Sequence, residues 1–185
     1  MSLTLSNLTH INLYLDSIAD FSAINTIYSQ FFGSSPPTRA CIGSASKGKR
    51  VWMDVIGYSG SDQRAGVHVQ GISYWAPANI GPYSQAILIS NRLSIAGQIG
   101  LIPASLQLPS PRSFAMEVAL ALKHVRSVMD VMREGNGGWH GWMEGGIVWV
   151  DRGYKHKVDS IREAWKGRSE FVRPTSDLYS SFHRH

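Results

Sequence analysis

Apolar and polar positions alternate at the start of the chain. Ile11, Leu13 and Leu15 take turns with Asn12 and Tyr14, which predicts a half-buried strand. Asp20 then stands where an N-cap belongs. Phe21, Ile24, Ile27, Tyr28 and Phe31 follow at helical spacing, with Gly33 as the stop. Pro36-Pro37 predicts an extended link. Arg39 to Ser44 and Val51 to Tyr58 read as two further strands, joined by a turn at Ser46-Lys47-Gly48.

The polar, glycine-containing stretch 60–66 is the best linker. Beyond it, Val67 to Tyr74 alternates weakly as a strand, and Gln85 to Ala96 reads as a hairpin turning at Ser90-Asn91. Ser110-Pro111 has the form of a helix start, a cap residue followed by proline. Phe114, Val118, Leu122, Val125, Met129 and Met132 line one face of that helix, and Gly135 ends it. A glycine- and tryptophan-rich loop covers 136–146. A short apolar strand at Ile147–Val150 and a helix over Lys155 to Lys166 follow. The tail has no clear period.

This order places strands and helices in two blocks. The chain has 185 residues, enough to bury a core without staples. Apolar residues make up 43% and charged residues 17%, a globular balance. The one cysteine, Cys41, leaves no internal disulfide framework and no cysteine-built zinc site. With no basic, apolar leader in the first residues and no run long enough to span a bilayer, the expectation is a cytoplasmic protein with no membrane partner. The net charge of +5 raises nucleic-acid binding. The basic residues are scattered and form no aromatic-interleaved stripe, so nucleic acid is not the expected partner. His124, His140 and His156 are not at ligand spacing, and no metal site or cofactor is predicted.

Two segments carry more specific information. Ala76-Pro77-Ala78-Asn79-Ile80-Gly81-Pro82-Tyr83-Ser84-Gln85-Ala86, followed by Ala96-Gly97-Gln98-Ile99, resembles the opening signature of the Rid family of reactive-intermediate (imine) deaminases. Pro37-Thr38-Arg39-Ala40-Cys41 and Val51-Trp52-Met53-Asp54 resemble that family's closing signature, and here they come first. The resemblance implies an α+β fold, a curved mixed sheet with two helices packed on one face, its halves in permuted order. Residues 1–60 correspond to the second half of one repeat, 61–66 to a linker, 67–166 to the first part of a second repeat and 167–185 to a tail. Such tandem order is similar to that of the long diphthine–ammonia ligase family, in which Rid-like repeats follow an ATP-binding domain. No ATP-pyrophosphatase loop of the Ser-Gly-Gly-Lys-Asp kind occurs here.

The resemblance also implies roles. Arg39 would hold a substrate carboxylate through its planar fork. Asp54 would position the attacking water, although the family usually has the longer glutamate there. Tyr83 and Cys41 would line the cleft, with Gly97 and Gln98 shaping its backbone. Ala96 replaces a hydroxyl residue of active members and removes a hydrogen bond. Three functions follow as expectations: a weakly catalytic or non-catalytic Rid-like module supporting diphthine amidation on elongation factor 2, a working imine deaminase, or an RNA-binding or RNA-cleaving relative. The expected partners are a small carboxylate ligand and further Rid-like repeats, in a homotrimer or an intramolecular pseudo-trimer.

Overall fold

A computed structural model describes residues 3–44, 50–135, 139–141 and 143–167. The chain divides into two compact units, Met1–Trp139 and His140–His185. The first unit is α+β, as the resemblance implies. Strand β1 (Leu8–Leu15) buries alternate residues, and helix α1 (Phe21–Tyr28) follows it. Asp20 holds the N-cap position of α1 as predicted but makes no side-chain cap bond; the Ser17 hydroxyl accepts the Ala19 amide at the head of a 3-10 turn, Ile18–Asp20, that runs into α1. Strands β2 (Thr38–Gly43) and β3 (Val51–Gly57) do not pair with each other as a hairpin would. They flank β1, β2 parallel and β3 antiparallel. The turn expected at 46–48 lies outside the described residues. Ile11, Leu13 and Leu15 pack with Tyr28, Phe21, Ile24 and Phe32 to make the core between this sheet and α1.

A second three-stranded sheet is an antiparallel meander of β4 (Arg64–Val67), β5 (Ala86–Ile89) and β6 (Arg92–Ile95). The hairpin turns at Ser90-Asn91 as predicted, both with positive φ (46° and 62°), the backbone of a tight I′ turn. Helix α2 (Phe114–Gly135) places Val128 and Met132 on Ala86, with Val67, Leu88, Leu93 and Ile95 around them. It starts three residues after Pro111, whose peptide is cis. The Ser113 hydroxyl accepts the Met116 amide, so Ser113 takes the role expected of Ser110.

Two further expectations are corrected. β4 lies inside the stretch read as a linker, and it ends at Val67, so residues 68–74 do not form the expected strand. Arg64 donates to the carbonyls of Ser6, Leu8 and Ser35 and to the Ser35 hydroxyl, which ties this stretch to the first block. Ile147–Val150 is not a strand, and Ile147 and Val148 are 70% and 56% exposed. A strand needs a partner ladder, and in this sheet the central place belongs to β1. In the second unit a 3-10 turn, Arg152–Lys157, capped by Asp151, runs into helix α3 (Val158–Lys166). Of the expected tail 167–185, all but Gly167 lies outside the described residues.

The two sheets meet where β2 begins. Thr38 bridges Ser84 in parallel, the Ser84 amide donates to the Pro37 carbonyl, and the Gly97 amide donates to the Arg39 carbonyl. This seam brings the two signature segments together, although the chain presents them in reversed order.

Candidate functional site

Arg39 lies at the seam on β2, opposite Ile11 of β1 in register. Side chains on a strand alternate between faces, so Arg39 points to the α1 side with Ile11. It is only 2% exposed. The guanidinium lies 4.6 Å from the Tyr28 ring centre, 5.4 Å from Tyr83 and 5.6 Å from Phe21. Its Nη2 donates to Asn25 Oδ1 at 2.8 Å. Its Nη1 is buried and has no hydrogen-bond partner. Burial lowers the Arg39 pKa, and its neighbours Tyr28, Cys41 and Tyr83 oppose that shift.

Tyr83 is thus brought to Arg39, with its own pKa raised chiefly by burial. Cys41 lies two residues along β2 on the same face, packed on the β1 core, and burial raises its thiol pKa. Gly97 works through close approach: a Cβ there would meet the Ala40 Cβ at 3.2 Å and its Cα at 3.3 Å. Gln98 turns back on its own strand end, its amide donating to the Ala96 carbonyl at 3.2 Å. Ala96 is buried and offers only a methyl group.

Asp54 does not join this cluster. Its register partner is Asn12, while Val55 is the residue that pairs with Ile11. The period of two therefore sends Asp54 to the sheet face opposite Arg39. There it accepts the Trp52 indole N–H at 3.0 Å. Burial and a bond to Asp54 together raise the pKa of Tyr14 on the same face.

A serine–histidine pair at the seam has the look of a nucleophile and its base. Ser84 Oγ lies 2.9 Å from His68 Nε2. The same oxygen, however, lies 2.5 Å from the Pro36 carbonyl, which can only accept. The serine proton goes to that carbonyl, so the imidazole donates to Ser84 and cannot activate it. The pair is a structural clamp. Among the described residues no group of three or more His, Cys, Asp or Glu side chains is placed to hold a metal ion, and no helix is long and apolar enough to cross a membrane.

No family model matches the chain. Curated relatives do. The diphthine–ammonia ligase of Schizosaccharomyces pombe is 39% identical over 132 residues, 70% of this chain. That of Saccharomyces cerevisiae is 35% identical over 187 aligned positions, 91% of this chain. Over 54 residues, 29% of this chain and 39% of the relative, the 2-iminobutanoate/2-iminopropanoate deaminase of Bos taurus is 46% identical, and that of Homo sapiens equally so. The chain is homologous to a Rid-like region of diphthine–ammonia ligase. It spans 22% and 26% of the length of those two ligases.

Within this Rid-like region the structure adds residues that the motifs do not reveal. Asn25 and Tyr28 come from α1, and their helical spacing marks Tyr28 only as core. Gly81 is needed because a Cβ would come within 2.5 Å of Arg39 Nη2 and 3.2 Å of the Asn25 amide. Asn79 supports that turn by donating to the Gly81 and Tyr83 carbonyls. A polar residue on an otherwise apolar helix face was the available signal for Asn25.

Proposed function

We propose that this chain is a Rid-like module that binds a small carboxylate at Arg39 and does not itself hydrolyse imines. One observation carries the reading: a buried guanidinium with one arm held by Asn25 and the other, Nη1, unpaired. An unsatisfied buried donor costs about 1–3 kcal/mol. A carboxylate is the group whose geometry matches the fork. The location of Asp54 on the opposite sheet face, and the methyl of Ala96, argue against a complete hydrolytic centre within one chain.

The relatives' names support a role beside diphthine amidation. On the reading that the resemblance implies, the module supports that amidation on elongation factor 2, with the ligation chemistry outside these residues. Assembly with further Rid-like repeats, as a homotrimer or a pseudo-trimer, is part of the same reading. Edge strand β3 favours it: Val51, Trp52, Met53, Val55 and Ile56 are all 37–59% exposed. Exposed apolar edges of this kind call for a covering partner.

The test pairs binding with turnover. Calorimetric titration with 2-oxobutanoate, a stable ketone analogue of a 2-imino acid, should show saturable binding that Arg39→Met removes. Freshly generated 2-iminobutanoate should release ammonia no faster with the protein than without it. Failure to bind at millimolar ligand would overturn the carboxylate site. Arg39-dependent ammonia release would instead establish the imine deaminase, the second reading that the 54-residue match favours. Light scattering reads the assembly: self-association should be lost on Ile56→Glu, and a monomer at high concentration refutes the homotrimer.

A further inference from the structure

The sheet face opposite Arg39 carries a separate polar network. His10 Nδ1 lies 2.8 Å from Thr38 Oγ1, and His10 Nε2 lies 3.0 Å from the Asn12 side-chain oxygen. Thr38 is fully buried, and its hydroxyl donates to the Thr9 carbonyl at 2.9 Å. That carbonyl sits where the β1–β3 register slips, between Leu8 and His10. A hydroxyl has one proton, and a carbonyl can only accept. With the Thr38 proton committed to Thr9, His10 Nδ1 must carry a hydrogen and donate it to Thr38.

The remaining nitrogen then decides the state of Asn12. In a neutral ring Nε2 holds a lone pair, so a facing amide oxygen would be repelled and the Asn12 NH2 must turn toward it. In a charged ring Nε2 is a second donor and the oxygen is the correct partner. The observed oxygen-facing arrangement suits the charged ring, and a half-turn of the amide suits the neutral one. The two arrangements have nearly the same shape and differ in which polar group the amide turns away from the histidine.

We propose that His10 and Asn12 form a proton-linked switch on the open face of the β2–β1–β3 sheet. When His10 is neutral, Asn12 presents its carbonyl outward; when His10 gains a proton, Asn12 presents its NH2. Asn12 stands beside Asp54 in register, so the outward NH2 complements a carboxylate and the outward carbonyl opposes it. The switch thereby sets the hydrogen-bonding character of this face independently of the Arg39 site.

The surroundings define what else bears on it. From β1, Tyr14 shares the face, and from β3, Asp54 does. From β2 the only polar group turned to His10 is Thr38, because Arg39 and Cys41 point to the other face. Across the seam, Thr38 bridges Ser84, which His68 holds. Burial lowers the His10 pKa and favours the neutral ring, while the bond to the Asn12 oxygen opposes that shift and favours the charged one.

Nitrogen-15 NMR of the imidazoles and side-chain amides tests the switch. At neutral pH His10 should be the Nδ1–H tautomer. The Asn12 NH2 resonances should shift with the same midpoint as His10 and no other group. Asn12→Asp, which can only accept, should raise that midpoint by more than one pH unit. An Nε2–H tautomer at neutral pH, an Asn12 amide that ignores the His10 titration, or an unmoved midpoint in Asn12→Asp would each overturn the proposal. The substitution lies on an accessible sheet face, and native-like amide spectra would confirm that it folds.

Discussion

The packing of Gly81 on Arg39 can be measured as a coupling energy. Alanine at 81 would place a methyl carbon 2.5 Å from Arg39 Nη2 and 3.2 Å from the Asn25 amide. A long side chain would normally yield at its tip. Here the tip is confined by the rings of Phe21, Tyr28 and Tyr83 and by the 2.8 Å bond to Asn25. Overpacking a confined site costs about 1–3 kcal/mol, and Gly81→Ala should lose stability in that range. In an Arg39→Met background Nη2 is gone and only the looser Asn25 contact remains. The same substitution should then cost about 1 kcal/mol or less, leaving a coupling of about 1–2 kcal/mol. Urea unfolding of the parent, both single variants and the double variant supplies the four free energies. Additivity within about 0.5 kcal/mol would refute the confinement of the guanidinium and with it the geometry of the proposed site.

Other consequences are as direct. Arg64→Ala removes the donor to three carbonyls that join β4 to the first block; it should cost about 2–3 kcal/mol in urea unfolding, and lysine, lacking the fork, should restore only part of that. Met132→Ala empties a fully buried place between α2 and its sheet and should cost about 2–5 kcal/mol, read as a lower thermal midpoint. Burial lowers the pKa of fully buried His124, whose Nε2 bonds the Leu101 carbonyl. The unfolded chain therefore binds the proton more readily, so stability is retained above the ordinary imidazole value and falls as the pH drops below about 6.5. His10 and His68 are shifted the same way and add to the effect. A urea midpoint that rises between pH 7.5 and pH 5 would contradict that sign.

Much of the local structure was legible because short-range physics sets it. The alternation from Ile11 to Leu15 survives as β1, with each alternate residue buried. Ser90-Asn91 tolerates the positive φ a tight hairpin requires. The apolar face read from Phe114 to Met132 lies within one helix, α2. Local reading failed where a distant partner decides the outcome. Ile147–Val150 has strand composition, yet composition does not supply a ladder. Arg64 reads as a linker residue until the carbonyls of Ser6 and Leu8 come within reach. Pro111 looks like a first helical residue, but the cap is Ser113.

The amino-acid order by itself determined the signature segments, the helix and strand periods, and hence the Rid-like character of the chain. These are properties of neighbouring residues or of spacing along one element. Only the tertiary structure decided how the site is composed. With β1 between β2 and β3, register parity sends Arg39 toward α1 and Asp54 to the opposite face. Asn25, Tyr28 and Gly81 reach Arg39 only because α1 and the 79–83 turn fold back over the seam. A strand's two faces are chemically equivalent until pairing fixes which one is covered, and that choice is made by residues far away in the chain.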